Sequence, residues 1–155
     1  MDYTGTITQT FEGYSLIRYQ DGGGVWTIGR GHLWHPGDEL TCTVPQVELW
    51  FSADMAKCAH AVNDLVSVEL TQGQFNALCD FVFNLGIGAL ESSTLLKLIN
   101  AGELQEASKQ FVAWDHIRVD GELRISEGLL RRRTAETTMF LLAMVAPVAS
   151  VVAAT

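Results

Sequence analysis

The spacing of apolar residues along the chain changes character at about residue 45. Before that point, Tyr14–Gln20 mixes aromatic, β-branched and polar residues, Asp21-Gly22-Gly23-Gly24 forms a turn cluster, and Val25-Trp26-Thr27-Ile28 resumes strand chemistry. Two short runs around an Asp/Gly cluster predict a hairpin. A short helix is expected ahead of it, over Thr6–Glu12. Beyond residue 45, Val47, Trp50, Phe51, Asp54, Met55, Cys58, Val62 and Leu65 recur at three and four, which predicts a long helix over 46–66. Thr43 with Gln46 matches a capping box, and Pro45 fits a first helical turn. Thr71 with Gln74 is a second box, opening an apolar helix from Phe75 to Leu85 that Gly86 ends. Further helices are predicted over Thr94–Asn100 and Leu104–Trp114, and Ser126 caps a last one carrying Arg131–Arg133 and Ala135–Met144.

The predicted fold class is α+β and mostly helical, in a single domain over 1–155. A small N-terminal hairpin lobe (about 1–45) is joined by the long helix to a helical lobe (about 67–145), and an apolar tail follows at 146–155. A cleft between the lobes is the natural ligand site.

At 155 residues and 48% hydrophobic, the chain can build its own core. Lys and Arg number 10 against 18 Asp and Glu, a net charge of −8. That balance argues against a nucleic-acid partner and gives no attraction to anionic membranes. Residues 1–96 hold 11 acidic and 3 basic side chains and the remainder 7 of each, so basic surface must come from Arg131, Arg132 and Arg133. The default reading of that run is a solvated helix face; the alternative is that it includes a partner for Glu12. Cys42, Cys58 and Cys79 are odd in number and read as reduced thiols, Cys58 and Cys79 as small core residues. No paired ligand spacing, Walker sequence or dinucleotide fingerprint occurs, so no metal or cofactor is expected. The N-terminus has neither a basic cap nor an apolar run, and no signal peptide is expected. Residues 139–155 lack charge, but Pro147 interrupts them and they fall short of the roughly 20 residues a span requires, so no stable membrane span is expected. They read as a final helix with a frayed apolar tail, or more sharply as a membrane-disturbing tail. A monomer is expected.

Glu12, Asp21 and Thr27 are the candidate chemistry. A helix end carries partial negative charge, which favours the neutral form of Glu12, and Phe11 and Tyr14 could desolvate it further. Asp21, in a turn, should be solvated and ionised. Two carboxyls driven to opposite protonation states suit glycoside hydrolysis, and the Thr27 hydroxyl can hold a water. Singly, each of these residues is an ordinary surface or strand position. Their order across helix end, turn and strand gives the combination its weight.

The segment FEGYSLIRYQDGGGVWTIGRGHL resembles the active-site region of phage-T4-type lysozymes, the endolysins of glycoside hydrolase family 24. The resemblance continues in LTQGQFNALCDFVFNLG, STLLKLINAGE, QFVAWD and GLLRRRTAE, over roughly 8–140. It implies a lysozyme-like fold and a muramidase that cleaves the β-1,4 bond between N-acetylmuramic acid and N-acetylglucosamine in bacterial peptidoglycan. It places the general acid on Glu12, the second carboxylate on Asp21 and the water-positioning threonine on Thr27, with inversion the family's usual outcome. It makes His32 structural, paired with Asp54, and Leu33 a cleft position that contacts sugar. Trp34, beside the loop residues His35-Pro36-Gly37, is the candidate for stacking on sugar, whereas Trp26, Trp50 and Trp114 read as core anchors. Arg30 departs from the family's aromatic or aliphatic residue, and either pairs with a cleft carboxylate or lies on the surface. The resemblance further implies synthesis in a host cytoplasm and action on the wall in the periplasm. A non-catalytic wall-binding module would not need the Glu12, Asp21, Thr27 trio, whereas a muramidase effector delivered to rival bacteria would carry it too.

Overall fold

The structure is a computed structural model and describes residues 1–4, 7–119 and 121–145; Thr6 and the tail at 146–155 lie outside the described residues. Helix α1 (Ile7–Phe11) ends where the Glu12 N–H donates to the Thr8 carbonyl at 2.8 Å. Strands β1 (Ser15–Gln20) and β2 (Trp26–Gly29) form the antiparallel hairpin, with Gln20 opposite Trp26 and Tyr19 opposite Thr27. Asp21 builds its turn: Oδ1 accepts from the N–H groups of Gly23 at 2.9 Å and Val25 at 2.8 Å. This is an aspartate replacing backbone partners in a tight turn. Gly29 and Gly31, at φ 65° and 76°, then reverse the chain into a third strand, β3 (His32–Leu33), which the apolar pattern does not signal. The segment after it runs back along β1. Arg18 N–H donates to the Leu40 carbonyl at 3.1 Å, and Cys42 N–H to the Leu16 carbonyl at 2.8 Å.

Helix α2 (Val44–Leu65) starts two residues before the predicted 46–66 span and ends one short of it, and it begins with the Thr43 N–H donating to Gln46 Oε1 at 2.8 Å. Helix α3 (Gln72–Leu85) begins with the second box, in which the Thr71 N–H donates to Gln74 Oε1 at 2.9 Å. Gly86 ends it at φ 89°, a left-handed conformation that glycine adopts without strain. Helix α4 (Ile87–Ser92) follows unannounced, then α5 (Thr94–Asn100) at the predicted bounds. The single helix expected over Leu104–Trp114 is instead α6 (Leu104–Ser108) followed by a 3-10 turn, Phe111–Trp114. Backbone bonds three residues back, from Lys109, Gln110 and Ala113, replace the α ladder there and carry Phe111 into the core. The helical part also holds a second hairpin, β4 (His116–Val119) and β5 (Glu122–Ile125), before α7 (Glu127–Val145). No helix among the described residues is long and apolar enough to cross a membrane.

Two apolar clusters result. The large one joins Phe51, Met55, Cys58 and Val62 of α2 to Phe75, Leu78, Phe81 and Val82 of α3, with Phe111 and Phe140. Burial pushes the Cys58 and Cys79 thiols up to about 12, so they behave as apolar side chains. The small cluster is Ile28, Cys42 and Val47, flanked by Trp34 and Trp50. Helix α1 precedes the hairpin in sequence but packs on α3 and α7 of the helical part. The residue that follows it is thereby held against the large core.

Candidate active site

Glu12 follows α1 and meets α7. Its Oε1 lies 2.5 Å from Arg132 Nη1. The same guanidinium forks onto Asp80 of α3, with Nε to Oδ2 at 3.0 Å and Nη2 to Oδ1 at 2.9 Å. Asp80 also accepts from the Thr8 hydroxyl at 2.7 Å. Arg132 is almost fully buried, and a charge in that position requires partners with good geometry. Burial pushes the Asp80 carboxyl up. Hydrogen bonds from Glu136 and Arg132, the Arg132 charge and the Thr8 hydroxyl outweigh that, and it sits below the ordinary aspartate value. Burial likewise opposes the Arg132 charge, and Asp80 and Glu12 more than restore it.

The default reading of Arg131–Arg133 as a solvated face therefore holds only for Arg131. Arg132 and Arg133 are buried, Arg133 donating to Asn84 Oδ1 at 2.8 Å. Three consecutive helical residues sweep about 200° of the circumference, so such a run cannot share one face. The surroundings expected for Glu12 differ too. Tyr14 is exposed and lies 5.2 Å beneath the Arg30 guanidinium, so a cation, rather than that ring, is what Glu12 meets. Arg30 pairs at the surface with Glu48 at 3.2 Å and donates to the Glu12 carbonyl at 3.1 Å, tying the hairpin's return to α2 and to the end of α1.

Glu12 borders a cavity of about 580 Å³ with Phe11, Asn84, Leu129, Arg131 and Arg132. A second cavity, of about 380 Å³, is bordered by Gly31, His32, Leu33, Asp54, Lys57, Phe83 and Ile87. Gly31 links the two: a Cβ built on it would stand 3.8 Å from Glu12 Oε2 and 3.7 Å from the Phe83 ring. Leu33 is thus an exposed apolar wall of the second cavity. His32 Nδ1 lies 2.6 Å from Asp54 Oδ2, Lys57 reaches the other Asp54 oxygen at 2.9 Å, and the imidazole stacks on Trp50 at 4.8 Å. These contacts fix β3 to α2.

Asp21 and Thr27 border neither cavity. Asp21 is exposed, and its Oδ2 has no hydrogen-bond partner among the described residues. Thr27 is buried, its hydroxyl 3.4 Å from the Tyr19 carbonyl. It stands directly opposite Leu33 across β2 and β3, which puts both side chains on one face of the sheet. Trp34 is not the free platform its loop suggests. Its indole N–H donates to the Glu39 carbonyl at 3.0 Å, and the Arg18 guanidinium lies 4.2 Å from its ring. Trp26, expected as a core anchor, is 40% exposed and shares that guanidinium at 4.4 Å. Asp80 and Glu136 were not singled out from sequence, whereas the alternative reading of the Arg131–Arg133 run, that it includes a partner for Glu12, is met by Arg132. The available signal was one carboxylate, Asp80, inside the apolar run Phe75–Leu85. Among the described residues no cluster of His, Cys, Asp and Glu could hold a metal ion.

Comparison with known proteins gives a consistent result. The model of the family described as phage lysozyme matches residues 9–136. An endolysin from Acyrthosiphon pisum secondary endosymbiont phage 1 is 37% identical over 134 residues, 86% of this chain and 92% of the relative. Among solved structures, an endolysin from Escherichia coli O157:H7 phage FAHEc1 superposes with a TM-score of 0.79 at 32% identity, covering 91% of this chain and 94% of that one. The muramidase domain of SpmX from Asticaccaulis excentricus superposes at 0.78 and 33% identity, covering 87% and 92%.

Proposed function

The chain belongs to the phage lysozyme family, and from that premise we propose which of its residues carry the reaction. It is a peptidoglycan muramidase of the endolysin kind. Within the family we place it with the phage-T4-type enzymes of glycoside hydrolase family 24, acting on the β-1,4 bond between N-acetylmuramic acid and N-acetylglucosamine.

Glu12 is the general acid that protonates the leaving glycosidic oxygen. The observation that carries this is the division of Arg132 between two carboxyls. Asp80, fully buried, takes the guanidinium with two bonds, whereas Glu12 takes it with one at a cavity wall. Asp80 alone balances the buried charge, so Glu12 can hold a proton without leaving Arg132 unpaired. As that proton moves to the sugar oxygen, negative charge develops 2.5 Å from Arg132 Nη1, where the guanidinium stabilises it. Asp21, with a free carboxylate oxygen, and Thr27 act on water from the opposite face of the sugar, which gives inversion. Leu33 supplies apolar contact to the sugar, and the His32–Asp54 pair holds β3 in place for it.

Clearing of permeabilised Gram-negative cells tests the acid. Glu12→Gln keeps the shape and loses the proton, so clearing should fall by about 10²–10⁴-fold while far-ultraviolet dichroism is unchanged. A Glu12→Gln enzyme that clears at the wild-type rate refutes the assignment.

A further inference from the structure

Asn84, in the last turn of α3, borders the Glu12 cavity together with Leu129, Arg131 and Arg132. Its Oδ1 accepts from Arg133 Nη2 at 2.8 Å. Arg133 has no exposed surface. It is held from two further sides: Glu136 Oε1 lies 2.8 Å from the same Nη2, and the guanidinium stands 5.2 Å from the Phe81 ring. A guanidinium carries donors and no acceptor, so of an amide's two polar atoms it can take only the oxygen. That contact fixes which way round the Asn84 amide lies. The oxygen and nitrogen of a planar amide diverge, so an oxygen committed to buried Arg133 leaves Nδ2 on the edge turned away from it. Nδ2 has no hydrogen-bond acceptor among the described residues, and it is open to solvent rather than enclosed.

We propose that Asn84 is a substrate-binding residue: its Nδ2 donates to an amide carbonyl of the glycan next to the bond that Glu12 protonates, and buried Arg133 keeps the amide turned that way. This rests on Glu12 being the acid, because Asn84 shares its cavity. Peptidoglycan offers such a carbonyl in two places, the acetamido groups of its sugars and the amide joining the stem peptide to the lactyl group of N-acetylmuramic acid. A neutral acceptor suits the position. Glu12 becomes negative as it gives up its proton, and an anion held alongside would oppose that step, whereas a carbonyl adds no charge. The donor is also set in advance. Turning the amide over would press Nδ2 against the Arg133 donors and strip the guanidinium of its acceptor, so Asn84 waits in the binding orientation before substrate arrives. The two neighbouring cations do not compete for partners. Arg132 is shared by Asp80 and Glu12, and Arg133 is paired with Glu136.

Asn84→Asp is the decisive variant. Aspartate keeps an oxygen for Arg133 and puts an acceptor where Nδ2 was, so the inward contact survives and the outward donor is lost. Binding is measured by calorimetry in the Glu12→Gln background, where turnover is removed and no Glu12 charge is left for the new carboxylate to perturb. The probes are soluble peptidoglycan strands, intact or after an amidase has cut the lactyl amide. Asn84→Asp should weaken binding of intact strands by about 10-fold, the scale of a substrate carbonyl left without its donor. With Glu12 restored, KM on intact peptidoglycan should rise by a similar factor. A gap that persists on the stripped strands assigns the carbonyl to an acetamido group, and a gap that closes assigns it to the lactyl amide. In nuclear magnetic resonance the Asn84 side-chain NH2 signal should shift when strands bind to Glu12→Gln. That signal is read with Asn84 in place, so it decides the matter even if Asn84→Asp fails to fold. Unchanged affinity and KM in Asn84→Asp overturn the proposal, and so does an NH2 signal that strands leave in place. Failure of the Glu12 assignment would show separately, as a Glu12→Gln enzyme that still degrades the strands.

Discussion

Replacing Asp80 by Asn isolates the charge that anchors Arg132. Asn has nearly the same shape, but it offers one acceptor oxygen where three charge-assisted bonds converge, and it leaves the buried guanidinium with Glu12 as its remaining carboxylate partner. Removing one partner of a buried pair costs about 3–5 kcal/mol. A domain of this length loses about 2–4 °C of melting temperature per kcal/mol, so Asp80→Asn should melt roughly 10 °C lower at neutral pH. The pH dependence has a definite sign. The Asp80 carboxyl lies below its ordinary value in the folded protein. Its contribution is therefore complete above the unfolded-state value, near 3.8, and is lost as pH falls through the lower folded-state value. The gap between wild type and variant should hold from neutral pH down to about pH 4 and close only below that. Thermal and urea melts across this range measure it. The double variant Asp80→Leu with Arg132→Met should recover part of the loss, because it removes the stranded cation along with its partner. An Asp80→Asn protein that melts with wild type at neutral pH would show that Arg132 does not depend on Asp80.

Gly31→Ala meets only ordinary contacts, so its cost should be the left-handed backbone, roughly 1–2 kcal/mol by denaturant titration; a neutral change would mean the turn relaxes freely. The added methyl would also stand beside Glu12, so clearing should slow. Asp54→Asn breaks the 2.6 Å contact to His32, and since both side chains are about a fifth exposed or more, the loss should sit near the low end for a bond to a charged group, about 1.5 kcal/mol. An unchanged melting curve would show that β3 is held without that pair.

The long helices were legible because their apolar residues recur with the helical period and their ends carry caps, as at Thr71 and Gly86. The second hairpin was not. Ile117, Leu123 and Ile125 are exposed, so these apolar side chains give its strands no buried face to impose alternation, although the Asp120-Gly121 dipeptide is a turn signal. Strand β3 has two residues, too few for any period. In the site, Glu12, Asp21 and Thr27 could be singled out by type and order. Their electrostatics could not, since the Glu12–Arg132 contact joins residues 120 positions apart and Thr8–Asp80 joins residues 72 apart. Arg132 also looked like its neighbours in a basic run, and only helix phase separates it from Arg131.

The two apolar clusters are unequal. Ile28, Cys42 and Val47 cohere the sheet, whereas the helical part has many times that buried material. Glu12 is braced by the larger body, and Asp21 and Thr27 ride on the smaller. Anyone seeking a hardier enzyme should therefore reinforce the neighbourhood of Val47 and Trp50, because extra cohesion among the helices leaves the frailer partner setting the limit.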